Sequence, residues 1–90
     1  MFSVKYSKRF KKDLKTFKYD KEVLLLLERV LDVLISNKTL PSSYHNHPLK
    51  GEFKGCYECH IKPDILLVYK KDKKEISILL LRIGSHSDLF

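Results

Sequence analysis

All four histidines of this 90-residue chain lie after residue 44: His45, His47, His60 and His86. Imidazole is the side chain whose ordinary pKa lies nearest neutral pH, so it can both take up and release a proton there. Asp64 and Arg82 accompany them. That set suits cleavage of a phosphodiester through an RNA 2′-hydroxyl. One group must take the 2′-OH proton, another must protonate the departing 5′-oxygen, and a cation must stabilise the charge that builds on phosphorus. Histidines, an aspartate and an arginine can supply all three functions without a metal. His60 falls at a strand end, Asp64 follows Pro63 into the next strand, Arg82 ends the last strand and His86 lies just beyond Gly84. Strands paired as adjacent hairpins would bring these ends together, with His47 entering from the loop His45-Asn46-His47-Pro48. An ion pair between Arg82 and Asp64, with neither group touching a substrate, is the alternative.

The run Cys56-Tyr57-Glu58-Cys59-His60 has the form C-x-x-C-H, the signature of c-type haem attachment. Haem is excluded: no export context is visible, and the only methionine, Met1, cannot serve as a convincing axial ligand. A zinc site built from Cys56, Cys59 and two histidines would need a turn at Gly55, because residues three apart in a strand point to opposite faces. The plainer reading makes Cys59 a small core residue and Cys56 incidental. No cofactor is expected.

The elements that must carry these residues can be read from the spacing of apolar positions. Phe2 and Val4 alternate with polar neighbours and predict a short strand. Ser3 or Ser7 can cap a helix in which Phe10, Leu14 and Phe17 form one stripe, opposite Lys8, Arg9, Lys11, Lys12 and Lys15. Asp20 is a good N-cap for a second helix with Leu24, Leu27, Leu31 and Leu34 on its apolar face. After Pro41 the period changes to two. Lys50 to Gly55 reads as a strand and a turn. Cys56 to Ile61 reads as a strand with Tyr57, Cys59 and Ile61 on one face and Glu58 and His60 on the other. Two more strands come next, Ile65 to Tyr69 and Ile76 to Ile83, the last apolar on both faces and so central or covered. The order βααβββ predicts a single α+β domain over residues 1–90. Its N-terminal strand and two-helix hairpin pack on one face of an antiparallel sheet, leaving the other face for a ligand.

The net charge of +7 favours polyanions such as nucleic acid, an anionic membrane or an acidic protein. The longest apolar run, Val23 to Leu27, cannot span a bilayer, and Met1 to Lys5 lacks the apolar region of a secretory leader. A cytoplasmic protein with reduced thiols and no membrane partner is expected.

Three segments together resemble the YafQ group of the RelE/ParE toxin superfamily. They are His47-Pro48-Leu49-Lys50-Gly51, then Glu58 to Tyr69 with its H-x-x-P-D element, then Leu81 to Phe90 with Gly84-Ser85-His86-Ser87-Asp88-Leu89-Phe90. The resemblance covers nearly the whole chain. It implies a RelE-like fold and the toxin of a type II toxin–antitoxin pair. It implies a metal-independent endoribonuclease that cuts translated mRNA, usually on the ribosome, and a cognate antitoxin protein that neutralises it. Carried over by position, it makes His86 a proton-transfer group with His60 and Asp64 as partners. Arg82 stabilises the phosphate, Phe90 stacks on or positions a base, and His47 assists. Lys50 and Lys62 join Phe90 in substrate binding. Ile65 stands where some members carry Trp, so that aromatic contribution is absent. The alternatives are a non-catalytic toxin-fold binding protein and a gyrase-targeting toxin of the same superfamily. A pure binder has no need of several titratable groups converging at strand ends.

Overall fold

Ser7 opens the first helix. Its side chain accepts a hydrogen bond from the Phe10 N–H at 2.9 Å, which satisfies one of the donors a helix start leaves free. The computed structural model describes residues 1–90 and places β1 at Ser3–Tyr6, α1 at Lys8–Lys15 and α2 at Lys21–Ile35. Asp20 caps α2 through the Val23 N–H at 3.1 Å, and Asn37, in the left-handed region (φ 56°), lies just past its end. The strands β2 His47–Pro48, β3 Tyr57–Lys62, β4 Ile65–Asp72 and β5 Ser77–Gly84 come next, and a one-turn helix α3, His86–Leu89, ends the chain.

The α+β architecture is as expected, with two differences. The sheet is mixed: its order is β1-β5-β4-β3-β2, and β1 runs parallel to β5. The reason lies in where α1 must land. The short β1 pairs only with Ser77 to Leu80, and α1 then covers the rest of the β5 edge. There the Ser7 hydroxyl donates to the Leu81 carbonyl at 3.0 Å, and the Ile83 N–H donates to Asp13 Oδ2 at 3.2 Å. Side chains of the helix and its cap thus satisfy a strand edge. The second difference lies at Lys50 to Gly55. The extended residues are His47 and Pro48, paired with Glu58 and Tyr57, whereas Gly51–Phe53 forms a 3₁₀ turn. Gly51 (φ 70°) and Gly55 (φ 92°) take the backbone out of the extended region on either side of that turn.

Helices α1 and α2 cover one face of the sheet. Phe10, Val23, Leu27, Val30 and Leu34 meet Cys59, Ile61, Leu67, Ile78, Leu80 and Ile83 there. The opposite face holds a smaller cluster of Cys56, Leu66, Val68 and Leu89. Cys56 and Cys59 therefore lie in separate clusters, each a free thiol. Burial, with the neighbouring Glu58 charge, pushes the Cys59 thiol up to about 12, which makes it an inert core residue at neutral pH. No helix is long and apolar enough to cross a membrane.

Candidate active site

Strand register assembles the site on the face away from α1 and α2. His47 pairs with Glu58, Glu58 with Val68, and Val68 with Arg82, so one row across β2, β3, β4 and β5 carries three polar side chains. The next row runs His60, Leu66, Gly84, and His86 stands just beyond it at the start of α3. The alternation expected for β3 holds: Cys59 and Ile61 join the helix-side core, and Glu58 and His60 face the other way.

The centre of the site is Glu58. It is only 3% exposed, yet its Oε1 lies 3.5 Å from His47 Nε2, 3.9 Å from His60 Nε2 and 4.0 Å from His86 Nε2. Three imidazoles from three separate elements thus present the same nitrogen to one carboxylate oxygen. His47 has its tautomer fixed from behind. Its Nδ1 lies 2.6 Å from the His45 carbonyl, which can only accept, so Nδ1 is the donor and Nε2 is the nitrogen left to exchange a proton. The backbone that presents His47 is tied to the core: the Tyr69 hydroxyl donates to Asn46 Oδ1 at 2.7 Å. Burial pushes the Tyr69 pKa up, which keeps that hydroxyl a donor at neutral pH.

Aromatic rings surround the cluster. His60 meets His45 edge-on at 5.3 Å and His86 at 6.2 Å between centroids. Phe90 lies 5.9 Å from His86 and edge-on to Phe53 at 5.4 Å, with 56% of its surface open. The tail is docked through Leu89, which is buried beside Leu66 and Val68. Gly84 leaves room for it: a Cβ there would lie 3.3 Å from Leu89 Cδ2. On the other flank a cleft of about 680 Å³ is bordered by Tyr44, His45, His47, His60 and Lys62.

The expected residues divide into those brought together and those kept apart. His47, His60, His86 and Phe90 share the centre and its rim. Asp64 does not join them: it is exposed at the β3–β4 turn, and Glu58 is the carboxylate among the imidazoles. Arg82 does not pair with Asp64 either. Its Nε and Nη2 donate to Asp13 at 2.6 and 3.1 Å, and that contact, the largest influence on the group, raises the guanidinium pKa further. Lys62 lines the cleft and is paired with Glu22 at 2.6 Å, which raises its pKa and keeps it charged. Lys50 is exposed just before the Gly51–Phe53 turn. Sequence reasoning missed Glu58 as a site residue and Asp13 as the partner of Arg82. Glu58 carried a signal, since it alternates with His60 on one strand face. Asp13 is the lone acid in the basic helix Lys8–Lys15.

Known proteins share this sequence and fold. Residues 2–90 match the family described as bacterial toxin of type II toxin–antitoxin system, YafQ. The mRNA interferase toxin YafQ of Escherichia coli K12 is 34% identical over 88 residues, covering 97% of this chain and 94% of that protein. Among solved structures, a metal-bound toxin from Helicobacter pylori is 46% identical, with a TM-score of 0.91 and full coverage of both chains. YafQ in the E. coli DinJ–YafQ complex is 33% identical, with a TM-score of 0.87 over 100% of this chain and 99% of that one. The sequence match and the shared fold agree over nearly the whole length, and the chain belongs to the YafQ family of bacterial type II toxins.

Proposed function

We propose that this protein is the toxin of a type II toxin–antitoxin pair and an endoribonuclease that cuts mRNA by acid–base catalysis through the 2′-hydroxyl. One observation carries the reading: three imidazole Nε2 atoms lie within 4.0 Å of a single buried carboxylate oxygen on an open sheet face. The name of the E. coli relative, an mRNA interferase toxin, supports it.

The scissile phosphate lies over the imidazoles, between the Phe90 ledge and the cleft beside His60. One imidazole takes the 2′-OH proton, the 2′-oxygen attacks phosphorus, and a second imidazole protonates the departing 5′-oxygen. The products are a 2′,3′-cyclic phosphate and a free 5′-hydroxyl. His86, on the exposed rim, is a proton-transfer group, with His60 as its partner and His47 in support. Glu58 holds all three rings in place. Arg82 stabilises the phosphorane charge. Phe90 stacks on a base against Phe53, Lys50 and Lys62 hold flanking phosphates, and Asp64 acts on the strand from the rim.

The metal-bound relative raises the question of an ion here. The side chains as arranged do not fit one: the nitrogens face Glu58 itself, and no three His, Cys, Asp or Glu groups surround a common ion position. The partner is a cognate antitoxin, as DinJ is for E. coli YafQ in their complex. The exposed Lys8, Arg9, Lys11, Lys12 and Lys15 on α1 suit an acidic antitoxin or ribosomal RNA.

The test uses an mRNA whose cut sites are mapped on translating ribosomes, and then the same RNA with a 2′-deoxy nucleotide at the cut. Cleavage is expected to stop at that position, to leave cyclic phosphate ends elsewhere, to persist in EDTA with magnesium kept in excess for the ribosome, and to fall with His86→Ala. Cleavage across the 2′-deoxy position, or full activity of His86→Ala, overturns the mechanism. Activity that vanishes in EDTA and returns with zinc moves the imidazoles from proton transfer to metal binding.

A further inference from the structure

Arg82 is oriented by a residue outside the site. Its strand position puts it in the same row as Glu58 and His47, yet its side chain is mostly buried, 16% exposed, and its guanidinium is turned toward the sheet edge that α1 covers. There Asp13, itself 13% exposed, accepts from Nε and Nη2 in a two-point fork. A guanidinium carries five N–H donors in one plane. The fork uses two of them and leaves both on Nη1 and one on Nη2. Asp13 Oδ2 also accepts the Ile83 N–H, so the carboxylate is fixed to the backbone of the strand that carries Arg82.

We propose that Asp13 is a positioning residue for RNA cleavage: it clamps one edge of the Arg82 guanidinium and presents the Nη1 edge to the phosphate. This rests on the role given to Arg82 above. A long side chain held at two points loses its rotational freedom before substrate arrives, so its charge is in place when the phosphorane forms. The competing role for Asp13 is purely architectural, as the cap of the β5 edge at Ile83.

A double-mutant cycle separates the two, with single-turnover cleavage measured for the wild type, Asp13→Asn, Arg82→Ala and the double variant, under conditions where circular dichroism shows all four folded. Asparagine retains an oxygen for the Ile83 N–H and loses the charge and the second acceptor of the fork. Asp13→Asn is expected to lower kcat about 10- to 100-fold with little change in KM, the scale of a displaced catalytic group. In the Arg82→Ala background the same change is expected to cost less than about twofold. Equal losses in both backgrounds, or no loss in the wild type, overturn the proposal. Should Asp13→Asn fail to fold, Asp13→Glu replaces it in the cycle; it keeps the charge but moves the fork, and it is read by the same criterion. Full activity of Arg82→Ala overturns both this proposal and the role of Arg82. A slow Arg82→Ala beside a fully active Asp13→Asn removes only the clamp.

Discussion

The two faces of the sheet bury different things. The helix-covered face holds a continuous apolar cluster that includes Phe10, Val23, Leu67, Ile78 and Leu80. The open face holds four buried residues, and beside them a carboxylate, Glu58, ringed by imidazoles. Burying that carboxylate costs free energy that apolar packing at the same position would not. A chain of 90 residues tolerates the cost because the helices supply a core on the far side. One sheet thickness therefore separates the main apolar core from the proposed catalytic residues.

The largest effect should come from the covered face. Phe10→Ala removes a fully buried ring from the contact between α1 and the sheet. A loss of about 3–5 kcal/mol is expected, a large part of the ~5–15 kcal/mol that holds a typical domain. Urea denaturation is the measurement, and specific activity per folded molecule should stay near that of the wild type. A loss below about 1 kcal/mol, far short of the usual cost of such a cavity, would mean that α1 contributes little to the core.

Glu58→Gln is the converse change, on the open face. It keeps the shape and removes the buried charge. Cleavage is expected to fall about 100-fold, the lower end of what a proton-transfer system contributes, while the melting temperature holds or rises. Activity and melting temperature falling together would make Glu58 a structural residue and blur the division between the faces.

How much of this division the sequence discloses depends on how local each feature is. The caps Ser7 and Asp20, the stripe through Leu27 and Leu34, and the alternation that sets Glu58 and His60 opposite Cys59 depend on neighbours a few residues away, and all are legible. The parallel pairing of β1 with β5 is not, because it depends on where α1 must land. Arg82 illustrates the same limit. Asp64 is the acid that the predicted hairpins bring toward it, yet Asp13, 69 residues away in the chain, holds it. The convergence of His47, His60 and His86 on Glu58 joins β2, β3 and α3. Sequence spacing supplies the residue types for that meeting and not the meeting point. Motif position alone puts Asp64 at the centre, whereas it stands exposed at the β3–β4 turn, apart from the imidazoles.

The tail sharpens the comparison within the open face. Deleting Phe90 removes an exposed ring and should cost about 1–3 kcal/mol of base stacking, roughly 5- to 150-fold in cleavage, with the melting temperature unchanged. Leu89→Ala removes the buried anchor instead, so it should lower both the stability and the activity by undocking α3. If the two variants behave alike, Phe90 serves only to hold the helix down.

The smallest effect concerns the side-chain hydrogen bond that ties the helix-side core to the site. Tyr69 belongs to that core, and its hydroxyl reaches Asn46 between His45 and His47. Tyr69→Phe keeps the ring and removes that bond. The stability loss should be about 1 kcal/mol, the usual net value of one hydrogen bond. The informative quantity is the activity. If the core positions the His47 backbone, cleavage should fall more than the change in folded fraction accounts for, and His47→Ala should mask the loss. A drop that persists in the His47→Ala background would mean that Tyr69 acts on the site by another route, through its stacking partner Tyr57, which lies 5.8 Å away on β3 beside Glu58.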